Sequence, residues 1–203
     1  MAPLLVSSLF LIFVQFWAPN NPKLDFTIHG LWPEYPNNTY PEYCNKSAQF
    51  NLSQIEYLIP ILNIEWPSSD GPNQDFWKHE YLKHATCYPG VDEEQFFLDT
   101  LHLFDQTDST QTFRENKIKT DVIYSKEKLN QMFNGTFHCQ GSQNATTSPT
   151  TTRPAGLNSS IATLWRCYDL NLQKFDCPNW IDTSCTANVL FETESQIDYY
   201  QQN

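Results

Sequence analysis

The chain has 203 residues and a formal net charge of −11 at pH 7, with a sequence pI near 4.7. That charge excludes a broad basic surface of the kind that binds nucleic acid tightly, so a bound polyanion must be held by a local cluster of cations. Hydrophobic residues make up 40% and aromatic residues 15% of the sequence, which excludes a disordered chain and favours a globular protein with a buried core.

Residues 1–18 form an apolar and almost uncharged stretch, for which two interpretations stay open. The stretch has the length of a secretion signal but lacks an early basic residue, since the first cation is Lys23. Alternatively, Leu9–Phe16 is the first strand of the core, because it is rich in Phe, Ile and Val. The stretch is marginal as a transmembrane helix, so we expect no stable membrane association. The remaining residues, 19–203, have the length of a single domain.

The pattern over residues 26–104 predicts one strand followed by three helices. The strand is Phe26–Leu31, in a segment punctuated by glycine and proline. A helix capped by Ser53 follows and is kinked or shortened by Pro60. The second helix carries His79–His84, and the third begins at the acidic run 92–94 and has an apolar side up to residue 104.

The rest of the chain mixes one more helix with two strands. The helix covers Lys126–Phe133, and the Ser-, Thr- and Pro-rich segment Gln140–Pro154 is predicted to be an exposed loop. Ile161–Tyr168 and Leu172–Cys177 alternate like the two strands of a hairpin. Because helices and strands are mixed along the chain, we predict the α+β class.

Six cysteines and six sequons point to the secretory pathway. No Cys-x-x-Cys pair occurs, which argues against structural zinc. Such a density of Asn-x-Ser/Thr triplets favours a secreted glycoprotein, extracellular or vacuolar, whose cysteines form three disulfides. Six cysteines allow fifteen pairings, which the sequence alone leaves open. The sequons begin at Asn37, Asn45, Asn51, Asn134, Asn144 and Asn158.

The segment Phe76–Cys87 concentrates ionisable side chains that could transfer protons. On a helix, Glu80 and His84 share a face, as do His79 and Lys83. Glu80 beside His84 would favour the imidazolium and fix its orientation. His79 and Lys83 could stabilise negative charge that develops on a phosphoryl group.

A second histidine in an unusual setting, His29, lies directly before Gly30, where the backbone can approach a ligand closely. Because imidazoles titrate near ~6.5, one histidine can accept a proton while another donates one. His102 and His138 have no comparable neighbours, and we interpret them as a helix-surface and a near-strand histidine.

A zinc hydrolase site does not fit the helical segment. That site needs histidines four residues apart, but Lys83 occupies the position four residues after His79. His79 and His84 would point roughly 140° apart on a helix, too far round to share a metal. We therefore expect metal-free acid–base chemistry without a cofactor.

The segments Phe26–Pro33 and His79–Cys87 resemble the two active-site segments of the ribonuclease T2 family. The resemblance extends over about residues 24–192 and includes Cys167-Tyr168-Asp169, the Asp176-Cys177-Pro178 step and Cys185. It implies a ribonuclease T2-like fold with a central antiparallel sheet flanked by helices.

The resemblance also implies a reaction and a role for each site residue. The family cleaves single-stranded RNA by transferring the phosphoryl group to the neighbouring 2′-hydroxyl, which leaves a 2′,3′-cyclic phosphate. His84 would take the proton of the 2′-hydroxyl, and His29 would protonate the departing 5′-oxygen. Glu80 and Lys83 would support the transition state, and His79 would hold the phosphate.

Two aromatic side chains and the cysteines complete the expected site. Trp32 and Tyr81 are candidates for base stacking, with core packing as an equally good interpretation. The resemblance implies a specific pairing of the six cysteines, namely Cys44 with Cys87, Cys139 with Cys185 and Cys167 with Cys177.

We therefore expect a secreted, monomeric endoribonuclease that acts on single-stranded RNA. The alternative is a catalytically impaired, ribonuclease-like extracellular protein for storage or recognition. Ala85 favours this alternative, because the family usually has glycine at its position. If the position requires a positive φ, alanine would cost on the order of 1 kcal/mol and could tilt His84.

Overall fold

The computed structural model describes residues 9–18, 25–141, 159–181 and 185–191. The strands of this part of the chain form one sheet in the order β2-β1-β5-β7-β3, and β4 and β6 also pair with β5. The pairs β3–β7, β4–β5 and β5–β6 are antiparallel, whereas Ser160 of β5 and Leu190 of β7 form a parallel bridge. The strands are β1 (Phe10–Ala18), β2 (Asp25–Glu34), β3 (Ile123–Ser125), β4 (Thr136–Gly141), β5 (Ser159–Tyr168), β6 (Lys174–Phe175) and β7 (Asn188–Leu190).

Helices and strands occur together, which confirms the α+β class. Side-chain caps begin two of the helices, since Asp92 accepts a hydrogen bond from the backbone N–H of Gln95 and Ser125 accepts one from that of Lys128. In the described part of the chain, no helix is long and apolar enough to cross a bilayer. The helices are α1 (Ile59–Glu65), α2 (Asn73–Lys83), α3 (Glu93–Thr107), α4 (Ser109–Glu115) and α5 (Lys126–Phe133).

The first predicted helix is the element whose structure differs most from the prediction. Instead of one helix from Ser53, the chain forms two 3₁₀ turns, Leu52–Gln54 and Glu56–Leu58, before α1. The Asn51 side chain caps the first turn by accepting from the N–H of Ser53, so Ser53 as the N-cap was wrong. Pro60 lies in the first turn of α1, where a missing N–H costs no intrahelical hydrogen bond.

The later predicted elements can be compared with the structure in the same way. The helix predicted over Lys126–Phe133 is found at those residues, and it ends at Asn134 in the left-handed conformation. The hairpin is found, but its second strand is only Lys174–Phe175. Of the loop predicted over 140–154, residues 142–154 lie outside the described residues, and Gln140 and Gly141 belong to β4.

The chain divides into two compact units, of which the first comprises Met1–Gln15, Thr27–Asp108 and Arg166–Pro178. Within it, residues 10–15 of β1 are all buried, so the described residues of the apolar stretch contain a strand, as one interpretation predicted. The buried guanidinium of Arg166 donates to Oε1 of Gln15, at 2.5 Å. The apolar core of this first unit includes Leu11, Phe13, Ile28, Leu31, Leu62, Trp66, Trp77, Phe96 and Phe97.

The second unit comprises Phe16–Phe26, Ser109–Trp165 and Asn179–Asn203. Aromatic rings dominate its core, and their centroids lie 5.0–6.5 Å apart in edge-on, tilted or stacked pairs. This accounts for part of the high aromatic content of the sequence. The single domain expected over 19–203 stays a prediction. The core rings are Trp17, Phe26, Phe113, Phe133, Phe137 and Phe191.

Three disulfides join the pairs that the family resemblance implied. They link Cys44 to Cys87, Cys139 to Cys185 and Cys167 to Cys177. The first bridge fastens the segment after β2 to the 3₁₀ turn Ala85–Cys87, which directly follows α2 and His84.

Removing the Cys44–Cys87 bridge should lower the free energy of unfolding by about 4 kcal/mol, because its cysteines are 43 residues apart. The double variant Cys44→Ala/Cys87→Ala tests this by guanidinium denaturation. Removing Cys167–Cys177, with a separation of 10 residues, should cost less, about 3 kcal/mol. A loss below about 1 kcal/mol for the longer bridge would contradict the loop-closure argument.

Candidate active site

Strand β2 and helix α2 bring the predicted catalytic residues of the first unit together. β2 contributes His29 and Trp32, α2 contributes Glu80, and His84 is the C-cap residue of α2. Trp32 is the common neighbour, since its indole contacts all three of the other side chains. The two segments that the sequence singled out therefore meet in one site.

The carboxyl group of Glu80 is buried between β2 and its own helix. Its Oε2 accepts a hydrogen bond of 2.8 Å from Nε1 of Trp32, and its Oε1 lies 3.9 Å from Nε2 of His29. Burial raises the pKa of Glu80 to about 8, against the opposing effects of the Trp32 N–H and the Lys83 charge. Glu80 is therefore largely protonated at pH 7.

His84 is buried against Trp32 rather than against the Glu80 carboxyl. Its ring stacks on the indole with centroids 5.1 Å apart and an interplanar angle of 21°. Burial, and next the Lys83 charge, lower the pKa of His84 to about 3. The expectation that Glu80 favours the His84 imidazolium was wrong, because the carboxyl oxygens face Trp32 and His29 instead.

The His29 side chain is more accessible and keeps 23% of its surface exposed. Its ring meets Trp32 edge-on at 4.7 Å and lies tilted against Phe76 at 5.9 Å. The main chain is held as well, since the carbonyl of His29 accepts a 2.9 Å hydrogen bond from Nε1 of Trp66. Burial lowers the pKa of His29 to about 3, with help from the charges of His79 and Lys83.

Gly30 permits the close approach of strand and helix. A Cβ atom at this position would overlap Oε2 of Glu80 and lie 2.6 Å from Nε1 of Trp32. A side chain at this position would therefore force Glu80 or Trp32 to shift.

Lys83 supplies the positive charge of the site. Its charge lowers the pKa of His29, His79 and His84 and opposes the rise at Glu80. Its Nζ lies 4.0 Å from Oε2 of Glu42, a residue that no pattern in the sequence indicated. His79 is exposed on α2. Its pKa is lowered by partial removal of water and by the charge of Lys83, and the charge of Glu42 opposes this shift.

Tyr81 is the second candidate for base stacking. It is partly buried against the apolar core, and its ring is tilted against Phe50 at 6.0 Å. Its proposed contact with a base stays a prediction. His102 is exposed on α3, as expected, and His138 lies in β4 with its ring stacked on Trp165 at 3.7 Å.

Ala85 is buried at the start of the 3₁₀ turn after His84. It is not among the described residues that have a positive φ, so the expected strain on His84 does not arise. Among the described residues, no group of three or more His, Cys, Asp or Glu side chains could hold a metal ion.

Comparisons with known proteins agree with this architecture. The model of the ribonuclease T2 family matches residues 9–185. Ribonuclease DdI of Dictyostelium discoideum is 33% identical over an alignment of 198 residues, and the match covers 90% of this chain and 83% of that protein. The fold is shared with human RNase T2, at a TM-score of 0.71 and 25% identity, over 91% of this chain and 98% of that one.

RNase NT, solved in complex with 5′-AMP, has the same fold at a TM-score of 0.75 and 24% identity, over 91% of this chain and 98% of that one. The family match covers most of the chain and includes both β2 and α2. The resemblance seen in the sequence is thereby confirmed, and the chain belongs to the ribonuclease T2 family.

Proposed function

We propose that this T2-type endoribonuclease cleaves single-stranded RNA by metal-free transphosphorylation, with His84 as the base and His29 as the acid. One observation carries the proposal: both imidazoles contact the same indole, that of Trp32, at centroid distances of 4.7 and 5.1 Å. Two proton-transfer groups at such a short distance from each other can act on neighbouring oxygens of one phosphodiester.

In the proposed step, His84 takes the proton of the 2′-hydroxyl, and the 2′-oxygen forms a bond to phosphorus. The bond from phosphorus to the 5′-oxygen breaks, and His29 gives its proton to that oxygen. The products are a 2′,3′-cyclic phosphate and a free 5′-hydroxyl. Lys83 and His79 stabilise the charge that develops on the phosphoryl oxygens.

The low pKa values suit His84 better than His29 in the free protein. A neutral imidazole is ready to act as a base, but an acid must first be protonated. A bound phosphodiester brings a negative charge, which favours the imidazolium of His29. We infer that substrate binding and protonation of His29 support each other.

We further propose that the protein is secreted, to the extracellular space or a vacuole, and is glycosylated. The three disulfides support an oxidising compartment. Four of the six sequon asparagines are exposed, as a glycan requires, and the other two lie outside the described residues. The exposed ones are Asn37, Asn45, Asn51 and Asn134. A monomer remains our expectation.

His29→Ala and His84→Ala should each lower kcat/KM for RNA by about 10²–10⁴-fold, because each removes one proton-transfer group. The assay is cleavage of a dinucleoside phosphate in the presence of EDTA, with phosphorus NMR to identify the cyclic phosphate. His102→Ala is the matched control, since this histidine is exposed on α3.

Loss of cleavage on chelation would contradict a metal-free mechanism. A folded wild-type protein that does not cleave RNA would instead favour the storage or recognition alternative. That alternative has lost the support of Ala85, whose backbone carries no left-handed strain.

The pH profile of kcat/KM should have its maximum in acid, near pH 3, where a protonated His29 and a neutral His84 coexist most often, and should fall as the pH rises towards 7. The reason is that His29 must be protonated and its pKa is lowered to about 3 in the free protein. The kcat profile should extend to higher pH, because the bound phosphate raises the pKa of His29. Initial rates between pH 2 and 8 measure both, and a kcat/KM maximum near pH 7 would oppose this assignment.

Stability should be greatest between about pH 4.5 and 6.5 and fall on both sides. The pKa values of His29 and His84 are lowered from 6.5 to about 3 in the folded protein, so both residues bind protons more readily when unfolded. Between pH 3 and 6.5 they therefore make stability rise with pH. The pKa values of Glu80 and Glu34 are raised from 4.5 to about 8 and about 7. These two residues therefore make stability fall as the pH rises from 4.5 to those values.

Thermal unfolding between pH 3 and 9 measures this profile. Glu80→Gln should remove most of the decline above pH 6.5, whereas Glu56→Gln, an exposed control on the second 3₁₀ turn, should leave it. An unchanged alkaline decline in Glu80→Gln would show that Glu80 is already ionised when the protein is folded.

A further inference from the structure

Glu42 places a negative charge beside the cation of the active site. Its Oε2 lies 4.0 Å from Nζ of Lys83, and the two side chains are 48% and 28% exposed. Both are therefore within reach of solvent and of an incoming anion. Since Lys83 acts electrostatically on all three histidines of the site and on Glu80, a charge next to it changes what the whole site can bind.

The position of Glu42 is built into the fold. The N–H of the next residue, Tyr43, donates a 2.9 Å hydrogen bond to the carbonyl of Lys83. The residue after that, Cys44, is bonded to Cys87, three residues beyond His84. Two consecutive residues thus fasten this segment to the end of α2, so Glu42 stays near Lys83 without needing a strong ion pair.

The charges near the phosphate site balance before substrate binds. At pH 7 the imidazoles of His29 and His84 are neutral and Glu80 is largely protonated. Lys83 is then the charge that attracts an anion, and Glu42 offsets it. A monoanionic phosphodiester meets a small repulsion from Glu42, whereas a dianionic phosphomonoester meets about twice as much.

We propose that Glu42 is a specificity-determining residue that makes the site select the monoanionic phosphodiester of RNA over dianionic terminal phosphates. This inference rests on the proposed function, because it assumes that Lys83 and His79 face the phosphate. Its consequence is weak inhibition by free mononucleotides, which carry a dianionic phosphate near neutral pH.

Glu42→Gln removes the charge and keeps the shape, so it tests the proposal. Binding is measured at pH 7.5 and low salt by calorimetry with two probes, 5′-AMP and a dinucleoside phosphate that lacks the reacting 2′-hydroxyl. We expect the variant to bind 5′-AMP about tenfold more tightly and the diester about threefold more tightly. The gain should shrink in high salt.

Two controls separate this effect from others. Glu56→Gln makes the same change of net charge at an exposed residue of the second 3₁₀ turn and should leave both affinities unchanged. The pKa of His79, followed by NMR, should fall in Glu42→Gln, because Glu42 raises it in the wild type. A role in folding alone would not shift that titration.

Equal gains for the two probes, or none, would overturn the selectivity while the cleavage assay still supports the proposed function. If neither probe binds the wild type or the variant, the assignment of the phosphate site and this inference both fail. Tighter binding of 5′-AMP with a smaller gain for the diester supports Glu42 as the selective residue.

Discussion

Three indole N–H groups join the strand that carries His29 to the helix that carries Glu80. Trp32 donates to Glu80, Trp66 donates to the carbonyl of His29, and Trp77 of α2 donates to the carbonyl of Trp66. Trp66 and Trp77 are fully buried, so these bonds are shielded from competition with water. The geometry of the candidate site thus depends on large apolar rings that each carry one polar group aimed at the neighbouring element.

The same aromatic packing sets the acid–base properties of the site. Removing water from imidazoles and a carboxyl group favours their neutral forms, which lowers the pKa of His29 and His84 and raises that of Glu80. Gly30 makes this packing possible, since a Cβ atom there would overlap Glu80 and force it or Trp32 to shift. Positioning and proton affinity therefore have one cause, and a change that loosens the indoles should disturb both.

The sequence predicted local features well and contacts between distant residues poorly. The helix at 126–133 could be predicted because its cap, Ser125, directly precedes it and its apolar spacing lies within the segment. Glu42 and Trp66 could not be found in this way, because their partners, Lys83 and His29, are 41 and 37 residues away. The cysteine pairs needed the family resemblance, and the partner of Glu80 was mistaken because helical spacing says nothing about a strand that packs across it.

An acidic protein that acts on RNA must reconcile its net charge of −11 with a polyanionic substrate. Lowering the pH addresses this in two ways that act together. Carboxylates on the surface become protonated, which reduces the long-range repulsion of RNA. A lower pH also converts His29 to the imidazolium that the proposed mechanism needs, since the pKa of His29 is lowered to about 3. A site desolvated by aromatic rings and a surface rich in carboxylates thus favour the same acidic conditions, and a neutral compartment would oppose both binding and proton donation.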